Sequence, residues 1–74
     1  MKRYKGSGNV GVYAYDVVPN GIILQFVDGS KYLYDSSAPG KTHIREMLRL
    51  AEKGQGLTTY INQHVRGNYK TRLN

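Results

Sequence analysis

The sequence contains no cysteine, no long apolar run, and only five acidic residues against 11 lysines and arginines. Without cysteine, neither disulfides nor thiolate metal sites can supplement the core. The same absence fits a reducing compartment, and we expect a cytoplasmic location. Because no apolar stretch is long enough for a signal peptide or a membrane span, we also expect no membrane partner.

The scarcity of acids leaves a net charge of +6, and this charge is unevenly distributed. Residues 1–5 and 60–74 each carry three positive charges and no acid, residues 36–59 add a net +2, and residues 6–35 are net negative. A polyanion such as RNA or DNA would be attracted to the basic segments by counterion release. The alternative is that these charges only keep a small protein well solvated.

A chain of 74 residues makes one domain, residues 1–74, which buries about 60% of the surface of its unfolded form. Residues 1–9 have the composition of a loose leader. Val- and Tyr-rich alternation, punctuated by turn residues, predicts strands at residues 10–16, 22–27 and 30–35.

The register of the last two strands follows from their loop. A three-residue loop, residues 27–29 with Gly29 in the left-handed conformation, pairs Leu24 with Tyr32 and Ile22 with Tyr34. This register gathers the apolar side chains on one face, whereas a two-residue loop would divide them between the two faces. We therefore predict the three-residue loop.

The opposite face of this hairpin carries the pairs Ile23–Leu33 and Gln25–Lys31. They leave a small apolar patch, which the C-terminal tail (Tyr69, Leu73) or a second subunit could cover.

Two helices are predicted after a linker at residues 36–40. Four apolar residues keep the helical spacing of the first helix: Ile44, Met47, Leu48 and Ala51. Gly54 ends that helix, and the second, capped by Thr58, runs to about Arg66 before Gly67 and a basic tail, residues 67–74. The predicted fold is α+β: a three-stranded antiparallel β-meander followed by two α-helices packed on one face (βββαα).

Four short motifs in this order resemble the KTSC domain family: Ser7-Gly-Asn9-Val10, Tyr15-Asp16, Ile22-x-Leu24-x-Phe26-x-x-Gly29-x-x-Tyr32-x-Tyr34 and Tyr60-Ile61-Asn62-x-x-Val65-Arg66-x-x-Tyr69. The similarity spans roughly residues 7–69. Members of that family are small domains at the C-terminal end of some lysyl-tRNA synthetases. They also occur as stand-alone bacterial or phage proteins. Ala38-Pro39 stands where the family tends to have Val-Pro. The resemblance implies the fold and, as an expectation, an association with nucleic acid.

Catalytic and metal chemistry have little support in the sequence. His43 and His64 are the only histidines, and a metal site needs at least three converging ligands. We expect His64 to be a packed or partly exposed side chain, and Asp16, Asp28 and Asp35 to stabilise turns. The prediction is therefore a protein that is not an enzyme and has no cofactor.

The tyrosines and the C-terminal polar residues offer a better lead. Tyr32 and Tyr34 share the apolar face and are predicted to be core, whereas Tyr4, Tyr13 and Tyr69 are freer to stack on bases. Asn62 is unfavourable inside a helix, so it serves either to tie the helix to a loop or to bind a ligand together with Arg66, one turn later.

We therefore expect a small basic module that binds RNA or DNA weakly and without sequence preference. The candidate contact residues are Lys2, Arg3, Arg45, Arg49, Asn62, Arg66, Tyr69, Lys70 and Arg72. The alternative is a protein-interaction module or homodimer that uses an exposed strand edge or the Ile23–Leu33 patch. A small hydrolase or nuclease that needs a partner chain to complete its site is a third hypothesis.

Overall fold

A computed structural model describes residues 1–6 and 11–74. Five strands form one antiparallel sheet in sequence order: β1 (Lys2–Arg3), β2 (Val12–Val18), β3 (Gly21–Phe26), β4 (Lys31–Asp35) and β5 (Thr71–Arg72). Between β4 and β5 the chain forms helix α1 (Lys41–Lys53) and helix α2 (Leu57–Tyr60), which continues into a π-helical turn (Ile61–Val65). The α+β class is confirmed, but the sheet has five strands where the sequence predicted three.

The central hairpin has the predicted register. Ile22 pairs with Tyr34 and Leu24 pairs with Tyr32. The loop between them holds residues 27–29, and Gly29 has a φ of 90°, a value that favours glycine. Burial of one face decided this register, because a shift of one residue would have turned every side chain to the other side.

The first predicted strand is displaced along the chain. Its first residue, Val10, lies outside the described residues, and β2 continues through Val18, where the sequence predicted a break after Asp16. The break comes at Pro19–Asn20, a two-residue hairpin loop in which Asn20 has a φ of 61°. Proline and asparagine suit a turn, whereas the β-branched residues before them suit a strand.

The predicted leader is wrong for residues 1–6. Strand β1 pairs with β2, and the side chain of Tyr4 is only 2% exposed. The Tyr4 hydroxyl accepts a hydrogen bond from the backbone N–H of Leu57 at 2.9 Å. Residues 7–9 of that leader lie outside the described part of the chain.

The basic tail at residues 67–74 is also ordered into the sheet. Strand β5 pairs with β4, with Arg72 opposite Tyr32 and Thr71 opposite Leu33. The Asn74 side chain extends this edge, since its amide oxygen accepts from Lys31 N–H at 3.0 Å and its amide nitrogen donates to the Gly29 carbonyl at 2.9 Å.

One core lies between the sheet and the helices. Its buried members are Tyr4, Val12, Tyr15, Ile22, Leu24, Tyr34, Ile44, Met47, Leu50, Ala51, Leu57, Ile61 and Val65. Helix α1 ends as predicted at Gly54, whose φ is 77°. Thr58 does not cap α2, because its hydroxyl accepts from Val12 N–H at 3.1 Å and so joins the helix to β2.

Candidate nucleic-acid interface

The π-helical turn directs the C-terminal segment back over the sheet. Ile61 and Val65 are buried on its inner side, whereas Asn62 is exposed. Arg66 leaves the helix with a ψ of 126°, and Gly67 follows with a φ of 80°, the left-handed value predicted for a glycine after a helix. π-Helical turns are rare and are found frequently at functional sites.

Tyr69 joins an aromatic cluster on the helix-facing side of the sheet. Its ring centroid lies 4.5 Å from that of Tyr32 and 6.2 Å from that of Tyr34. The Phe26 ring meets Tyr32 edge to face at 5.7 Å. Tyr34 is buried and Tyr32 is packed against the core, as predicted, but Phe26 and Tyr32 keep part of their surface exposed.

A groove of about 530 Å³ opens between this cluster and the end of the second helix. One wall carries Asn62, Arg66 and Gly67, and the other is the tip of the β3–β4 hairpin. Phe26, Tyr32, Tyr34 and Tyr69 line it with aromatic surface. The structure thus brings three predicted site residues, Asn62, Arg66 and Tyr69, into one concavity.

The structural tie considered for Asn62 is not found among the described residues. Their long-range side-chain hydrogen bonds are made by Tyr4, His43, Thr58 and Asn74. An exposed asparagine on the wall of a groove offers both a donor and an acceptor to a ligand.

Positive charge borders the groove on the β5 side. The Arg72 guanidinium lies 5.7 Å from the Tyr32 ring centroid, in the range of a cation–π contact. Lys70 is fixed at the backbone, where its N–H donates to the Leu33 carbonyl at 2.7 Å. With Arg66 on the helical wall and Arg72 beside Tyr32, two cations lie next to one concave surface, where their positive potentials add.

Two carboxylates offset part of the positive charge of the C-terminal segment. Hydrogen bonds from Ser30 hold the pKa of Asp28 below its usual value, and the nearby positive charge of Arg72 lowers it further. Hydrogen bonds from Ser37 and, to a smaller extent, the charge of Lys70 likewise lower the pKa of Asp35. Both aspartates also bond to serine N–H groups two residues on, the turn-stabilising role that the sequence predicted.

Lys2 and Arg3 lie at the far edge of the sheet. Four strand spacings of about 4.8 Å separate β1 from β5, so this edge is about 19 Å from Arg72. Arg3 stacks over Tyr13 at 4.3 Å and Lys2 lies 6.0 Å from the Tyr15 ring centroid.

Arg45 and Arg49 are exposed on α1, in a third location. The Nε and Nη2 atoms of Arg49 donate hydrogen bonds to the two carboxylate oxygens of Glu46, at 2.9 and 2.5 Å. Arg45 lines a separate cleft together with Asn20, Ser36 and Lys41. The nine predicted residues therefore form three groups, and only the C-terminal group contains residues that line the aromatic groove.

The histidines meet on the other side of the second helix. His43 Nδ1 lies 2.7 Å from the Tyr60 hydroxyl, and the exposed His64 packs on Tyr60 with ring centroids 4.6 Å apart. His43 and Glu46 have a His-x-x-Glu spacing, but Glu46 is engaged by Arg49. Within residues 1–6 and 11–74, no group of three or more histidine or carboxylate side chains is placed to hold a metal ion.

Two groove residues, Phe26 and Tyr32, are assigned by the sequence only to the apolar face of the hairpin. Phe26 and Tyr32 share the apolar face, but both lie near the loop end of the hairpin and keep part of their surface exposed. Their position next to the turn could have indicated this exposure, because helices packed on a sheet often leave the ends of its strands uncovered.

Comparison of the chain with protein-family models, with curated proteins and with solved structures finds no match in any of the three. The resemblance to the KTSC family therefore stays a prediction. In the described ranges no helix combines the length and the apolar character that a bilayer crossing needs.

Proposed function

We propose that this domain is a non-catalytic module that binds nucleic acid weakly, through the groove between the β3–β4 hairpin and the end of the second helix. The observation that carries this proposal is a groove lined by Arg66 and by two tyrosines, with the Arg72 guanidinium beside the ring of one of them, Tyr32. Cations beside exposed aromatic rings are the combination with which proteins hold a nucleic-acid strand. The KTSC-type fold that the sequence predicts belongs to the same proposal.

The charge distribution supports weak binding without sequence preference. The chain carries +6 overall, which attracts a polyanion from a distance. At the groove, however, the carboxylate of Asp28 offsets part of the charge of Arg72. Outside the groove lining, Asp35 in the same way offsets part of the charge of Lys70. Few phosphates are therefore neutralised, and the affinity should fall with salt by a slope of about −0.7 per phosphate for a single strand.

A titration monitored by the amide chemical shifts tests the proposal. Short single- and double-stranded DNA and RNA would be added at low and at physiological salt. We expect shifts at residues 62–72 that diminish as salt is raised. A spectrum that stays unchanged at saturating nucleic acid and low salt would exclude this function.

The matched variants are Arg66→Gln and Arg49→Gln. Each removes one positive charge, but Arg66 lines the groove whereas Arg49 is paired with Glu46 on α1. Arg66→Gln should weaken binding and reduce the salt slope by about 0.7 for a single strand, while Arg49→Gln should change little. Equal losses in both variants would show that binding is spread over the whole basic surface.

A second candidate function is self-association through the outer face of the sheet. Ile23 and Leu33 pair directly across β3 and β4, remain partly exposed, and do not belong to the core cluster. Tyr69 does not cover them, because it packs on the helix-facing side against Tyr32. Sedimentation over a concentration series would detect a dimer, and Ile23→Lys should abolish it.

A further inference from the structure

Part of the aromatic lining of the groove is open to solvent in a domain that has little apolar surface to spare. Tyr69 is 36% exposed although its ring contacts two other tyrosines, and Phe26 and Tyr32 are only partly buried. Because the Tyr69 ring is already packed against two other rings, less conformational entropy would be lost when a flat ligand stacks on it than on a free side chain.

The wall opposite these rings provides polar groups of a complementary kind. Asn62 presents an amide with a donor and an acceptor, which is the pattern that pairs with the edge of a base. Arg66 lies one turn later and presents a planar guanidinium that bonds to phosphate or stacks on a base. Stacking surface, amide edge and cation thus surround the same space.

The size of the groove restricts the ligand further. Its volume of about 530 Å³ is within the usual range of small-molecule sites, roughly 300–1,000 Å³. A space of that size accommodates one nucleotide and not a segment of duplex. In a duplex, moreover, both faces of each base are stacked and its pairing edge is occupied, so neither the rings nor Asn62 could reach it.

We infer that the groove binds a single unpaired nucleobase of an RNA or DNA strand, stacked on Tyr69 and hydrogen-bonded to Asn62, with the adjoining phosphates on Arg66 and Arg72. This inference rests on the proposed function and specifies its ligand. Phosphate contacts bring a strand to the domain, and the base contact makes the domain distinguish single strands from duplexes.

The test compares four labelled 12-mers by fluorescence anisotropy at low salt: a single-stranded DNA, the same sequence as RNA, its blunt duplex, and the DNA strand with abasic sites. All four present phosphates, but only the first two present unpaired bases. We expect both single strands to bind more tightly than the duplex and the abasic strand, by about tenfold, which is in the range measured for base–aromatic stacking. The tighter of the DNA and RNA strands identifies the natural source of the base.

Two variants locate the base contact, and two control for structure. Tyr69→Leu should reduce single-strand affinity by about tenfold and leave duplex affinity unchanged, whereas Tyr69→Phe retains the ring and should bind normally. Tyr13→Leu removes a tyrosine of similar exposure, 37%, at the other edge of the sheet and should bind as the unmodified chain does. Asn62→Ala alters an exposed side chain and should lower single-strand affinity without altering the fold.

The outcomes separate the two proposals. Equal affinity for the intact, abasic and duplex forms, or equal loss of single-strand and duplex binding in Tyr69→Leu, would overturn the base contact while retaining a phosphate-binding function. An absence of binding to all four oligonucleotides would overturn the proposed function itself.

Discussion

The hydroxyl of Tyr4 accepts the backbone N–H of Leu57 over 2.9 Å, a bond between residues 53 positions apart in the chain. Leu57 is the first residue of α2, where backbone N–H groups have no partner within the helix. The tyrosine near the start of the chain thus caps the helix that leads to the groove, and its ring at the same time fills the core.

Replacement Tyr4→Phe should lower the free energy of unfolding by about 1–2 kcal/mol, because the buried Leu57 N–H loses its acceptor while the ring stays in place. Urea denaturation followed by circular dichroism measures this. Tyr13→Phe is the control, since Tyr13 is exposed. Identical midpoints for the two variants would show that the hydrogen bond contributes nothing.

Gly11→Ala should destabilise the fold more than Gly29→Ala, although both glycines have a φ of 90°. At Gly29 an added Cβ meets nothing within 4 Å, so only the backbone strain of about 1–2 kcal/mol applies. At Gly11 the Cβ would collide with Thr58 and disturb its bond to Val12 N–H, which adds about 1–3 kcal/mol. Thermal melts of the two variants give the comparison, and equal destabilisation would contradict the close approach of Thr58.

Stability should fall between pH 10 and 12 because of Tyr34. Burial, reinforced by Tyr32 and Tyr69, raises the pKa of Tyr34 from 10.0 to about 12. A raised pKa in the folded state means that the stabilisation is complete below pH 10 and is lost as the pH rises towards 12, by about 2 kcal/mol. Urea midpoints at pH 9 and 11.5 measure the loss.

Tyr34→Phe is the control for that pH dependence. It removes the ionisable hydroxyl and should reduce the loss of stability between pH 10 and 12. The remaining loss would come from Tyr60, whose pKa is also raised by burial. A decline as steep in Tyr34→Phe as in the unmodified chain would assign the effect to other groups.

Asn74→Ala should loosen the β4–β5 edge. The Asn74 amide bonds both to the Lys31 N–H and to the Gly29 carbonyl, so its removal frees the amide proton of Lys31. We expect Lys31 amide exchange to accelerate by about five- to tenfold, equivalent to about 1 kcal/mol. Asn68→Ala, an exposed change outside β5, is the matched control, and equal protection of Lys31 in both variants would contradict this role.

Three residues that line the groove are predicted from the sequence as contact residues, although the groove itself is not. Asn62, Arg66 and Tyr69 were selected from their helical spacing and local charge, and the structure brings these three together. Local spacing could not show that Phe26 and Tyr32 face them, because that contact depends on how the end of the second helix crosses the hairpin tip. For the same reason the sequence could not separate Arg66 from Arg45 or Lys2, which are equally basic but lie elsewhere.

The sequence by itself determined the elements whose signals are local. Alternation and turn residues defined the β3–β4 hairpin and its Leu24–Tyr32 register, and helical periodicity with Gly54 defined α1. Only the tertiary structure decided that β1 and β5 exist, since two residues are too few to carry a periodic pattern and each strand forms only on the edge that its neighbour provides. The tertiary structure also decided that Tyr4 is buried. The Tyr4 hydroxyl and the Leu57 N–H that it accepts are distant in sequence, so they meet only after the core has formed.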